Sequence, residues 1–121
     1  MSRLILIRGL PGSGKSTMAE TFEDFIHIET DMYFIKNGEY CFNPKKLKEA
    51  HTWCQEKTKE LLDEGYDVVV SNVFTQMWEM KPYLNMGHSI QIFTATGNYD
   101  NIHHVPEEAI QRMKDKWEEF L

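Results

Sequence analysis

The chain has 121 residues, 41% hydrophobic and 26% charged, which is enough for one core-bearing domain over residues 1–121 and too little for a second substrate domain or a large lid. A formal net charge of −6 excludes a protein that holds polyanions through its overall field, so any nucleic acid contact has to be local. Cys41 and Cys54 match no metal or redox spacing and read as core thiols, and the apolar run Leu4 to Ile7 is too short for a signal peptide or membrane span, so no membrane partner and a cytoplasmic setting are expected.

Short apolar runs alternate with longer helical patterns, the signature of a parallel sheet with crossover helices. Arg3 to Ile7 is predicted as the first strand and Lys15 to Phe22 as the helix after it. Between them lies GLPGSGKST, which satisfies G-x-x-x-x-G-K-[ST] through Gly9, Gly14, Lys15 and Ser16 in the strand-to-helix context that the motif requires. Its glycines let backbone amides approach phosphate oxygens, and the helix start beyond adds partial positive charge. Gly9, Pro11, Gly12, Ser13, Gly14, Lys15, Ser16 and Thr17 are therefore the candidate nucleotide-binding residues. Lys15 suits the β and γ phosphates of ATP, the Ser16 hydroxyl suits Mg²⁺, and Thr17 suits the α phosphate.

Phe25 to Ile28 is a short second strand, followed by IETDMYF. A carboxylate at the carboxyl edge of a parallel sheet, one strand from the phosphate loop, is placed to take a proton from an attacking hydroxyl, which makes Asp31 the candidate base. The same residue, after Thr30, also has the chemistry of a helix cap. Asn43 opens a long helix with Leu47, Ala50, Cys54, Thr58 and Leu61 on one face, and Gly65 ends it. Its lysines, Lys45, Lys46, Lys48, Lys57 and Lys59, are interleaved with Glu49, Glu56 and Glu60 and read as a solvated face. Val68 to Val70 is a third strand, apolar throughout and so covered on both faces. Thr75 begins another helix, Ser89 to Thr94 is the fourth strand, and a last helix starts at Pro106 with Ala109, Met113, Trp117 and Phe120 on a buried stripe.

The combination of GLPGSGKST, TDMYF, NGEYCFNPKKLKEAHTWC, NVFTQMWEMKPYL and HHVPEEAIQRM resembles the small P-loop ATPase and kinase family that includes NEDD4-binding protein 2 and its relatives. More distantly it is similar to the 5′-hydroxyl kinase domain of phage polynucleotide kinase. The resemblance implies an α/β P-loop NTPase fold with a parallel four-stranded sheet of order 2-3-1-4 flanked by helices. It also implies ATP with Mg²⁺ and transfer of the γ phosphate to a hydroxyl, with Asp31 on the position of the general base.

This chain departs from that pattern at the end of strand three, where Ser71 and Asn72 stand in place of a carboxylate, either as polar groups for a nucleophile or a metal-bound water or simply as polar groups that close the strand end. Phe34 replaces an arginine and is a candidate stacking platform for the acceptor. Only ATGNYDNIHH separates Thr94 from Val105, where relatives carry an arginine-bearing lid helix; the lid is shortened, with His103 and His104 as weak substitutes, an economy that suits a phage or other compact genome. An arginine facing the transferring group contributes about 10³ to 10⁵ in rate, and Arg3, Arg8 and Arg112 do not stand where the lid would be. Two readings follow. One is an ATP-dependent phosphotransferase acting on a nucleic acid 5′ end or a small hydroxyl-bearing acceptor. The other is a lid-deficient nucleotide-binding or weak ATPase module that acts with a partner, as an oligomer or as a nucleotide sensor.

Overall fold

The computed structural model describes residues 2–86, 89–97 and 105–119. Its centre is a parallel sheet built from β1 (Arg3–Arg8), β2 (Ile26–Ile28), β5 (Val68–Asn72) and β6 (Ser89–Thr94), in the order β2-β5-β1-β6. These are the four strands expected from the sequence, so the order is the anticipated 2-3-1-4 with a small hairpin added to the numbering. That hairpin, β3 (Ile35–Lys36) and β4 (Glu39–Tyr40), was not foreseen. Its turn places Asn37 and Gly38 at φ 52° and 81°, the left-handed pair that a tight two-residue hairpin requires.

Alternation along β1 divides the core between the two faces of the sheet. Leu4 and Leu6 pack with Ile28, Val68 and Val70 beneath α2 (Leu47–Asp63) and α3 (Met77–Leu84). Ile5 and Ile7 pack with Val69 and Ala19 beneath α1 (Lys15–Glu20). All five residues of β5 are buried, which explains why its sequence shows no polar alternation. Each fully buried Val, Leu or Ile contributes about 1.5–3 kcal/mol, so β1 and β5 anchor the fold.

Register sets the level of the site. Leu4 pairs with Val68 and Arg8 with Asn72, while Ile28 pairs with Val70. The residues just after β2 therefore lie beside Ser71 and Asn72, at the same edge as the loop that follows Arg8.

Several expectations change. The helix after Asn43 starts as a 3₁₀ turn, Pro44–Lys46, with the Asn43 side chain accepting from the Lys45 amide, and continues as α2. Leu47 is exposed rather than on the packed face, because the first turn projects over an open cavity. Cys54 is buried, but Cys41 is exposed beside the hairpin and is not a core thiol. Helix α3 begins at Met77, because Gln76 and Glu79 form a capping box and Thr75 donates to Glu79 at 2.7 Å instead of joining the helix. The last helix, α4 (Glu107–Lys116), buries none of its residues. Ala109, Met113 and Trp117 are only half-buried, and Phe120 lies outside the described residues. Among the described residues no helix is long and apolar enough to cross a membrane.

Candidate active site

The loop after β1 turns sharply because Gly12 and Gly14 adopt φ 80° and 86°, a region that a side chain disfavours, and Gly14 caps α1 from this left-handed conformation. Gly9 has a different duty. A Cβ there would collide with the Ser13 side chain and lie 3.1 Å from the Ala95 carbonyl, so only glycine lets the loop close against β6. Ser13 is buried inside the loop, and its carbonyl accepts from the Gly97 amide at 3.0 Å. Pro11, Gly12, Gly14, Lys15, Ser16 and Thr17 line a cavity of about 1180 Å³, whereas Gly9 and Ser13 support the loop from behind.

Glu29 enters the same cavity and is the residue that the sequence reading missed. Its Oε2 accepts from Ser16 Oγ at 2.8 Å and from Ser71 Oγ at 2.9 Å. His27 Nε2 lies 2.6 Å from Ser71 Oγ and 3.4 Å from the carboxylate. Because the Ser71 proton is engaged by Glu29, the imidazole N–H is the donor to Ser71. Burial alone would raise the Glu29 carboxyl, but the hydrogen bonds from His27, Ser16 and Ser71 outweigh it and hold the group at about 2. The strand-end acid absent from β5 is thus replaced by one at the end of the neighbouring strand, with Ser71 holding it. An E-x-D spacing, Glu29 and Asp31, was the signal available in the sequence.

Ser16 Oγ and Glu29 are hard oxygen donors 2.8 Å apart. Adjacent ligands of an octahedral Mg²⁺ at about 2.0–2.1 Å are about 2.9 Å apart, and this ion keeps waters and substrate oxygens for its remaining positions. The pair fits two places in such a shell. No cluster of three or more His, Cys, Asp or Glu forms a protein-only cage among the described residues. Burial lowers the Lys15 ammonium from its ordinary value, against the opposing pull of Glu29 and Asp31, so the lysine and both carboxylates share one electrostatic neighbourhood.

Asp31 follows on the 3₁₀ turn Thr30–Phe34 and lines the cavity, where its Oδ1 accepts from the Tyr40 hydroxyl at 3.1 Å. Asn72 Oδ1 accepts from the Thr30 amide at 2.8 Å and so fixes the start of this turn. Phe34 is only 2% exposed and is not part of the cavity wall, which rules out direct stacking on a ligand. Its ring instead supports Tyr40 and Phe42, with centroids 6.4 and 5.1 Å away, and those two face the cavity. Trp78 is 67% exposed and also lines the cavity.

Of the three arginines, Arg3 pairs with Asp67 at 2.7 Å on the far side of β1. Arg8 is buried, donates to the Phe74 carbonyl at 2.7 and 3.1 Å and to the Thr75 carbonyl at 3.2 Å, and stacks 4.1 Å over the Trp117 ring. This grip holds Phe74 at φ 48° and ties the end of α4 to the loop after β5. The Glu118 amide adds a 2.7 Å bond to the Thr75 carbonyl. Thus anchored, α4 places Ala109, Arg112, Met113 and Lys116 along one wall of the cavity. The arginine shortage foreseen from the sequence is therefore corrected in one respect: Arg112 reaches the cavity from the last helix. His103 and His104, and most of the shortened lid, lie outside the described residues.

Comparison with known proteins agrees with this architecture. A family described as an AAA domain matches residues 4–96. The chain is 37% identical to human NEDD4-binding protein 2 over 98% of its own length, but it spans only 8% of that protein. Among solved structures, the Pnkp1/Rnl/Hen1 RNA repair complex superposes with a TM-score of 0.71 at 16% identity, covering 95% of this chain and 43% of the other. A gluconokinase from Sinorhizobium meliloti 1021 gives 0.65 at 19% identity, covering 95% of this chain and 74% of that one. Such identities establish a P-loop kinase-like fold and do not reach to the acceptor.

Proposed function

The chain belongs to this AAA domain family, and from that premise we propose that it is an ATP-binding phosphotransferase that moves the γ phosphate to a hydroxyl acceptor, of the polynucleotide 5′-hydroxyl kinase kind. The observation that carries the reading is the meeting of Lys15, Ser16, Glu29 and Asp31 in one cavity. A nucleotide phosphate loop with no acceptor chemistry would not need Asp31 on the wall beyond it.

In this reading the backbone amides from Gly12 to Thr17 and the Lys15 ammonium bind the triphosphate and draw charge from the transferring group. Ser16 and Glu29 would hold Mg²⁺, which supplies charge neutralisation between phosphate oxygens when bound. Ser71 and His27 keep the Glu29 carboxylate aimed at that place. Asp31 accepts the proton of the attacking hydroxyl, a contribution of about 10²–10⁴ in rate. Arg112 and Lys116 on α4 and Lys48 on α2 also line the cavity, three cations that suit an acceptor carrying its own phosphate. Tyr40, Phe42 and Trp78 offer ring faces beside them.

The second reading, a nucleotide-binding module that acts with a partner, is favoured by the single arginine on the cavity wall. One experiment separates the two. ATP is expected to raise the melting temperature with and without Mg²⁺, and Lys15→Ala to remove the shift. Incubation with γ-labelled ATP and a 5′-hydroxyl oligonucleotide is expected to label the oligonucleotide, with Asp31→Ala lowering the rate about 10²-fold while the ATP shift remains. A Lys15-dependent shift without transfer to any hydroxyl acceptor would favour the binding module.

A further inference from the structure

The chain carries a hydroxyl of its own at the atom where an acceptor hydroxyl has to bind. Tyr40 sits on β4 of the exposed hairpin, and its phenol donates to Asp31 Oδ1 at 3.1 Å within the cavity that holds the phosphate loop. Other cavity hydroxyls are engaged elsewhere: Ser16 and Ser71 donate to Glu29, Thr75 donates to Glu79, Thr30 Oγ1 lies 3.4 Å from His51 Nδ1, and the Tyr83 hydroxyl is bonded with Cys54. The Tyr40 ring is fixed by stacking on Phe42 at 6.3 Å and by the edge of Phe34. Every residue of the hairpin strands is exposed, and Tyr40 lines the cavity together with the phosphate loop.

We propose that Tyr40 is an internal phosphate acceptor, so that in the absence of an external hydroxyl the protein phosphorylates its own Tyr40. The proposal rests on the phosphotransferase reading and deepens it by naming a substrate within the chain. The phenolic oxygen attacks the γ phosphorus of a bound nucleoside triphosphate. The new bond is Tyr40 Oη–P, the bond broken joins the γ phosphorus to the β–γ bridging oxygen, the phenolic proton passes to Asp31, and the nucleoside diphosphate leaves with the bridging oxygen. No other reactant is required.

Burial, and then the Asp31 carboxylate, raise the Tyr40 phenol above its ordinary value, so the hydroxyl arrives protonated. That is compatible with phosphoryl transfer, whose loose transition state asks little prior charge of the nucleophile and lets a base remove the proton as the bond forms. Lys15, Glu29, Asp31 and Tyr40 all line the same cavity, so the phosphate-binding ammonium, the two carboxylates and the phenol share one space. Once made, the phosphotyrosine would bring about −1.5 to −2 charge against those carboxylates. The hairpin would then be repelled from the site, exposing Asp31 to an external acceptor.

The test is incubation of the whole chain with γ-labelled ATP and Mg²⁺, without acceptor, followed by acid treatment and peptide mapping. Label on Tyr40 that survives acid, as an aryl phosphate does and an acyl phosphate on a carboxylate does not, is the expected result. Tyr40→Phe and Lys15→Ala should remove it, and Asp31→Asn should slow it about 10²-fold. A 5′-hydroxyl oligonucleotide should compete for it. Label on another residue, or label undiminished in Tyr40→Phe, overturns the proposal. So does a chain that transfers phosphate to an external hydroxyl but leaves Tyr40 unlabelled, and in that case the phosphotransferase reading stands. Absence of both self-labelling and external transfer overturns the two together.

Discussion

Replacing Glu29 with glutamine probes the feature on which the geometry of the site depends. The carboxyl is held at about 2 in the folded chain against an ordinary 4.5. One unit corresponds to about 1.4 kcal/mol, so the ionised group contributes roughly 3 kcal/mol to folding at neutral pH. The folded value lies below the unfolded one, so this contribution is fully present above pH 4.5 and is lost as the pH falls through about 2, with less than half remaining near pH 3. Glutamine keeps an oxygen for one donor but removes the negative charge to which Ser16 and Ser71 donate and beside which His27 lies at 3.4 Å. Urea denaturation followed by circular dichroism is expected to show Glu29→Gln about 2–3 kcal/mol less stable than the natural chain at pH 7, with the gap narrowing by more than half near pH 3. Equal stability at pH 7, or a gap that does not shrink on acidification, would refute the assignment of the Ser16 and Ser71 bonds and the neighbouring His27 to an ionised carboxylate.

Arg8→Met should cost about 3 kcal/mol, because it leaves the Phe74 and Thr75 carbonyls without their shared donor and loosens the Trp117 contact; thermal or urea melts measure it. Gly9→Ala is expected to lower stability by about 1–3 kcal/mol and to weaken the ATP-induced melting shift, since the loop has to move away from Ser13 and Ala95. Arg112→Ala should reduce kcat/KM for an oligonucleotide acceptor about 10- to 10²-fold with ATP affinity unchanged, and the same substitution should matter less for an acceptor without phosphates.

Much of the sheet was legible because each strand is a short run of branched apolar residues closed by a turn signal, and the phosphate loop because glycine, lysine and serine occur at a spacing with one physical purpose. Glu29 was hidden for a geometric reason. A strand of three residues leaves its register against β5 open by one position, and one position decides whether the next side chain faces the phosphate loop or turns away. The acid stands at the height of Ser71 but at the end of the neighbouring strand, where Ser71 Oγ donates to it. The face of α4 was misread because its apolar stripe, Ala109 and Met113, has the periodicity of a core helix, and periodicity does not distinguish a core from a cavity wall. The same holds for Leu47. Phe34 was placed at the site by its position after Asp31, but the hairpin at 35–40 folds back over it and puts Tyr40 and Phe42 at the surface in its place.

We propose that this chain transfers phosphate through Asp31 from a nucleotide held by Lys15. The most direct measurement is the initial rate of label transfer from γ-labelled ATP to a 5′-hydroxyl oligonucleotide, for the natural chain and for Asp31→Asn, with ATP binding monitored in parallel. Transfer by the natural chain, and a loss of about 10² in rate at unchanged ATP affinity for the variant, is the predicted result. Transfer that is indifferent to Asp31, or none in a chain that binds ATP tightly, would contradict it.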